Sequence, residues 1–356
     1  MSTIVHERPG VYSSYDASSV VSSGSGGKTV GIAAKAKSGT VGAAVSVSGY
    51  AAGVSAFGED DAGNPGMSTI LKLLFSNGIT KAVAVRVGDS GTLSDYQAAF
   101  DALGLTEDVG VLVCDSGELA VHQALRDSAV AASGSRKERI AVVGSSGEDV
   151  SALIARAASL NSERVILCGP DALNSSGQSL SGVFAAAALA GAIACESDPA
   201  VPMNGATLYG LTGLSALYTD NEIDTLVRGG VTPLEAAGGL VCPVRGITTR
   251  TKTGSAGDAT WRELNTILIV DNVIPAVRSA LRSKFTRTKN TARNRSAIRS
   301  QVIVELERKV DAQIIDSYGD VAVSASADDP TVCEVEFGFA VAHGLNQIYL
   351  TAHITV

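Results

Sequence analysis

Three places in this sequence carry residue types at spacings that can do chemistry. The run Ser22-Ser23-Gly24-Ser25-Gly26-Gly27-Lys28-Thr29 ends in the Gly-Lys-Thr of a phosphate-binding loop. Such a loop wraps phosphate oxygens with backbone N–H groups and needs another Gly five positions before its second Gly. That position is Ser22, and no βαβ unit frames the run, so it reads as a Ser/Gly linker. The second place, Val143-Gly144-Ser145-Ser146-Gly147-Glu148, has a G-x-x-G spacing after an apolar strand. It lacks the full dinucleotide fingerprint and reads as a βα turn, with Ser capping the next helix. The third is the histidine supply, which consists of His6, His122, His343 and His353. Hydrolytic triads and zinc sites draw on His, and none of these four stands in an H-E-x-x-H or comparable pattern. His122 falls on a helical stretch with no nucleophile nearby in sequence. These residues assemble no catalytic set, no cofactor site and no metal site.

Cys114, Cys168, Cys195, Cys242 and Cys333 are odd in number, widely spaced and free of C-x-x-C pairs. They read as reduced thiols, most of them small hydrophobes in apolar segments. The net charge of −8 says little, but its distribution is uneven. Between Asp271 and Glu305 there is no acidic residue, while Arg278, Arg282, Lys284, Arg287, Lys289, Arg293, Arg295 and Arg299 all fall there. Such a block predicts a contact with something negative, either nucleic acid or an acidic protein surface. Phe285 is the single aromatic inside it, so no stacking platform for bases accompanies the charge. A merely solvated helix face usually mixes both signs.

These segments need elements to position them. Lys81–Val87, Val109–Val113, Arg139–Val143 and Arg164–Cys168 are short apolar runs rich in β-branched residues. Helical patterns over 93–103, 118–131, 148–160 and 179–195 separate and follow them. Strand–helix alternation of this kind predicts a parallel, doubly wound α/β sheet covered on both faces. After Gly238 the style changes to an extended run over 240–249 and two long helices, Trp261–Phe285 and Arg293–Ile315, with Pro275 expected to kink the first. The chain closes on alternating stretches, Val335–Val341 and Ile348–Val356, which the turn His343–Asn346 could join as a hairpin. The expected organisation is an arm and linker over 1–27, an α/β domain over 28–238, an α+β domain over 239–345 and a terminal strand over 346–356.

No stretch offers about 18 apolar residues without polar interruption, and the first residues lack a signal-peptide pattern, so the expectation is a soluble chain made in the cytoplasm. The two ends raise a different problem. A polar arm around Pro9, Gly10, Val11 and Tyr12 and a strand carrying Ile348, Leu350 and Ile354 have no local partner sheet. Unpaired strand edges are hazards in a monomer and useful where they add to neighbouring copies.

Several segments, in order, resemble the phage tail sheath family. Glu7-Arg8-Pro9-Gly10-Val11-Tyr12 is similar to its P-G-V-Y opening. Phe57-Gly58, Asn77-Gly78 and Val83-Ala84-Val85-Arg86-Val87 resemble its F-G, N-G-G and V-V-R-V stretch, with Ile79 in place of the second Gly. Arg245-Gly246-Ile247-Thr248-Thr249 resembles its R-x-I-T-T element, and Trp261-Arg262-Glu263-Leu264-Asn265 stands where the family enters its long C-terminal helices. The resemblance implies an outer subtilisin-like α/β domain, an inner C-terminal α+β domain and terminal arms that exchange strands. It implies stacked hexameric rings of a contractile sheath, in a virion tail or a phage-tail-like particle such as a bacteriocin, assembled in the host cytoplasm. The implied partners are further copies, a tail tube protein, and baseplate and tail terminator proteins, with no cofactor, no nucleic acid and no membrane insertion. Arg278, Arg282, Lys284, Arg287 and Arg293 are then the expected tube contacts. The alternative is a soluble hydrolase-like α/β enzyme, and a DNA binder using the basic helices is a third reading. Electron microscopy separates these as striated tubes, discrete particles, or complexes that require added nucleic acid.

Overall fold

The computed structural model describes residues 27–61, 64–173, 177 and 179–352. His6, Pro9, Gly10, Val11, Tyr12, Ser22, His353 and Ile354 lie outside the described residues. Two compact units emerge, one drawn from residues 27–197, 201–267 and 344–352, the other from 198–200 and 268–343.

The larger unit opens with β1 (Thr29–Ala34), β2 (Ala44–Val47), α1 (Tyr50–Phe57) and α2 (Met67–Ser76). Strand–helix alternation follows: β3 (Ala82–Arg86), α3 (Leu93–Gly104), β4 (Val109–Cys114), α4 (Leu119–Gly134), β5 (Ile140–Gly144), α5 (Val150–Leu160) and β6 (Val165–Gly169). Next come β7 (Ala172–Leu173), α6 (Gly182–Cys195), β8 (Gly213–Leu214), α7 (Asp220–Arg228), β9 (Thr232–Ala237) and β10 (Leu240–Pro243). β7 pairs with β8, and β11 (Lys252–Thr253) with β12 (Ala256–Gly257), as short antiparallel pairs. One eight-stranded sheet runs β10-β9-β6-β5-β4-β1-β3-β2. Its interior pairs are parallel, and only the edge strands β2 and β10 are antiparallel to their neighbours.

The sheet's residues explain this arrangement. β1, β5 and β6 are buried at every position, as strands covered on both faces must be. Val83, Val85, Leu112, Val143 and Leu167 share one core with Phe100, Leu125, Leu153 and Leu226 from α3, α4, α5 and α7. α2 and α6 pack on the sheet as well. α6 is buried along almost its whole length, and its Ala and Gly residues permit close approach. A Cβ on Gly144 would fall 1.9 Å from the Gly182 carbonyl oxygen, so α6 starts directly against the end of β5. Buried Arg139 donates to the carbonyls of Leu103 and Thr106 at 3.0 and 2.9 Å, satisfying acceptors at the end of α3.

The change of style after Gly238 does not coincide with the division between units. β10 folds back on β9 in register Leu240↔Ala237 to Pro243↔Leu234, and the Thr249 amide donates to the Val165 carbonyl. Residues 239–267 therefore belong to the larger unit.

The smaller unit holds most of α8 (Leu264–Phe285), then α9 (Ala292–Asp311), β13 (Ile315–Tyr318), β14 (Ala322–Ala325), β15 (Cys333–Glu336) and β16 (Phe339–Val341). α8 contains Pro275 and is long and apolar enough, by length and composition, to cross a membrane. Ile269, Val273, Val277 and Leu281 instead pack with Val302 and Leu306 of α9 in a closed core. α9 stops at Asp311, short of the expected Ile315, because Gln313 adopts φ 58° and Ile315 enters β13. The expected hairpin at His343–Asn346 does not form among the described residues. β16 pairs back to β13, and residues 342–352 carry no strand.

Candidate assembly surfaces

The positions singled out for chemistry are tied into the fold. The Lys28 amide donates to the Ala194 carbonyl and Thr29 opens β1, so the end of the Gly-Lys-Thr run enters a strand, with no helix after it. Ser145 does not cap a helix. Its Oγ donates to Asp171 Oδ1 at 2.5 Å, and Asp149 caps α5 by accepting from the Ala152 amide at 2.8 Å. His122 is fully buried. Its Nε2 lies 2.7 Å from the Ser116 carbonyl oxygen, and Arg156 Nη1 meets Nδ1 at 3.2 Å. Burial, with Arg156 beside it, pushes the imidazole down to about 4. A neutral ring fed by a guanidinium at Nδ1 donates from Nε2, which makes it a strut between loops. Burial also pushes the Cys114 and Cys168 thiols up to about 12, which leaves them protonated.

An open cleft of about 850 Å³ lies beside the ends of β5 and β6, lined by Glu148, Asp171, Ser215, Tyr218 and Glu222 among others. Its carboxylates are already engaged. Glu148 pairs with Arg156, Asp171 accepts from Ser145, and Glu222 closes a capping box with Thr219. None sits beside a histidine in the manner of a nucleophile's base.

Unpaired strand edges also lie in the terminal third. β13–β14 and β15–β16 form two halves of one antiparallel ribbon, joined where the Gly319 amide donates to the Gly338 carbonyl. No third strand pairs with either edge among the described residues. Val323 faces Val335 on the side toward the core, while Ser324 and Glu334 face each other on the exposed side. The segment 344–352 carries no charge, and its Ile348, Tyr349 and Leu350 are 79%, 87% and 91% exposed. Alternation in the sequence marked this segment as a strand, but a strand needs a partner, and none pairs with it among the described residues.

The basic block divides by partner. Lys284 donates to Gln301 Oε1 at 2.5 Å, Arg295 to Asn290 Oδ1 at 2.9 Å, and Arg299 to the Val321 carbonyl at 2.8 Å. Arg282, Arg287, Lys289 and Arg293 are exposed around the α8–α9 connection, and none forms an ion pair among the described residues. Arg278 is half-buried on α8, apart from this exposed group.

Two family models match this chain in sequence order. "Phage tail sheath protein central domain" covers residues 91–249, and "Phage tail sheath C-terminal domain" covers residues 256–355. The tail sheath protein of Bacillus phage SP01 is 32% identical over 228 residues, a match spanning 62% of this chain. It takes in 38% of that relative, so the chain spans well under half the relative's length. Among solved structures, a chain of the anti-feeding prophage baseplate aligns with a TM-score of 0.76 at 16% identity, covering 99% of this chain and 100% of that one. The same particle's contracted helical sheath gives 0.73 at 16% identity, over 98% of this chain and 99% of that one. A sheath tail protein from Desulfitobacterium hafniense gives 0.73 at 14% identity, over 98% and 100%. At these identities the likeness is one of fold.

Proposed function

The chain belongs to the phage tail sheath family, and we propose that it is the structural subunit of a contractile sheath, polymerising around an inner tube and shortening to drive that tube through a target envelope. The carrying observation is the open ribbon together with the uncharged, exposed segment after His343. Each is incomplete alone, and each offers what the other lacks. In this reading the larger unit is the outer, subtilisin-like domain and the smaller one faces the tube. Arms from both ends of the chain add strands to the ribbons of adjacent copies. A strand of five or six residues contributes backbone hydrogen bonds worth about 1 kcal/mol each, enough to keep copies linked while other interfaces exchange.

Copies stack as hexameric rings in a metastable extended lattice, which a baseplate trigger releases into a shorter, wider one. Better packing between subunits supplies the energy, a stored-strain switch that needs no nucleotide. The exposed cations Arg282, Arg287 and Arg293 face an acidic surface of the tube. The particle is a phage tail or a headless relative of one, assembled in the host cytoplasm and closed by a terminator protein.

Removing residues 346–356 tests this reading. The truncated chain should stay folded, with an unchanged far-UV spectrum, and sediment as a monomer where the full chain forms tubes. Tubes of normal yield and diameter would remove strand exchange from the account.

A further inference from the structure

The contact between α8 and α9 carries a row of polar side chains beside an apolar core. Gln301, Glu305 and Lys309 stand four residues apart on α9 and share one face of the helix. Gln301 and Glu305 are buried, as is Asn272 on α8. Lys284 of α8 donates to Gln301, and Lys309 Nζ donates to Asn272 Oδ1 at 2.8 Å. The Gln301 amide and the Arg308 guanidinium both donate to Glu305 Oε1, at 2.7 and 3.0 Å. On the same two helices Ile269, Val273, Val302 and Leu306 pack in one apolar cluster.

Lys309 and Asn272 set an amine against a carboxamide. The amide carbon lies one C=O bond beyond the oxygen that Nζ meets, so it is no more than about 4 Å from that nitrogen. Reactive approach needs about 3–3.5 Å, within reach of a small side-chain torsion. Burial lowers the Lys309 ammonium below lysine's usual range, opposed more weakly by the charge of Glu305. The neutral amine, which is the nucleophile, is thereby easier to reach. Glu305 stands one turn before Lys309, and since Gln301 and Arg308 both occupy Oε1, Oε2 is the atom placed to take a proton.

We propose that Lys309 and Asn272 join in an isopeptide bond, a self-formed covalent tie between α8 and α9 of the smaller unit, with Glu305 carrying the proton. Glu305 takes one proton from the Lys309 ammonium. The freed lone pair forms the Nζ–Cγ bond, a second Nζ proton passes to Nδ2, and Cγ–Nδ2 breaks with its electron pair. The products are a secondary amide and ammonia, which leaves as ammonium with the proton that Glu305 held. Nothing is oxidised or reduced, and escape of ammonia to solvent draws the exchange forward. A lysine on an exposed asparagine would only share a hydrogen bond with it. Here the amide is 5% exposed, the amine already touches its carbonyl, and a carboxylate stands one turn away. Such a tie is internal to one chain and does not depend on how copies assemble. It would close the chain between positions 272 and 309, so that load on the ribbon cannot part the helices beneath it.

Intact-mass spectrometry of the purified full-length chain reads the bond directly, because loss of ammonia lowers the mass by about 17 Da. The expected result is that deficit in the unsubstituted chain, with a branched peptide joining Lys309 to Asn272 after proteolysis. Lys309→Arg and Asn272→Ala should each show the full mass of their sequences. Glu305→Gln should slow formation of the bond by about a hundredfold, read as the linked fraction sampled after synthesis. The full sequence mass in the unsubstituted chain overturns the proposal, whether or not any variant folds. A deficit that maps to ring closure at Asn204-Gly205, with no branched peptide, overturns it as well. A bond that forms as fast in Glu305→Gln removes the carboxylate from the step.

Discussion

Protonating His122 would set a second cation against Arg156 in a closed space. Its folded-state pKa lies near 4 and an unfolded histidine titrates near 6.5, so the unfolded chain binds the extra proton first as pH falls. Stability from this group is complete above pH 6.5 and is lost progressively down to about pH 4, by at most roughly 3 kcal/mol. His122→Gln should lower stability at pH 7.5 yet flatten its decline between pH 6.5 and 4, as read from urea midpoints. A decline equally steep in the variant would show that other groups set the acid limit. The Ser145–Asp171 pair illustrates what residue types alone could not say. The G-x-x-G run implied a turn, but its Ser bonds to a carboxylate 26 positions later, which no local pattern announces.

Helix α9 carries positive charge at both ends, favourably at Arg308 and Lys309 in its last turn and unfavourably in its first. Its first turn contains Arg293 and Arg295 and no acid, although the helix dipole there favours negative charge. Arg293→Glu should therefore leave melting unchanged or raise stability by about 0.5 kcal/mol. Reversing Arg282, Arg287 and Arg293 together should weaken co-sedimentation with the tube protein while sheath polymerisation persists. Undiminished docking would return these side chains to the role of a solvated face. The helices and the strands from β3 to β6 were legible because apolar runs alternate cleanly with 3.6-residue patterns. β1 was not, since Gly31, Ala33 and Ala34 give a weak strand signal although they lie inside the sheet, between β4 and β3. Gly31 is small for a reason visible only in three dimensions, as a Cβ there would come within 2.8 Å of Leu112 and Val109 side-chain atoms. β9 was hidden by Pro233 and Glu235, which read as loop residues until pairing with β6 and β10 is known. The terminal stretch from Ile348 had the opposite fate, because its alternation was legible and no strand pairs with it among the described residues.

The chain contains a larger α/β unit with a densely buried sheet and a smaller unit whose ribbon has no third strand on either side among the described residues. That asymmetry suits a lattice in which one part keeps copies linked while interfaces elsewhere exchange. The order of motifs along the sequence pointed to this family, but the open edges could be located only once β16 was seen to pair with β13. Amide hydrogen exchange, compared between monomer and assembled polymer, reaches the central claim most directly. The amides of residues 347–352 and of the ribbon's edges should be fast in the monomer and slow at least a hundredfold together on assembly. Tail amides that exchange as fast in the polymer as in the monomer would mean that copies are held without sharing strands.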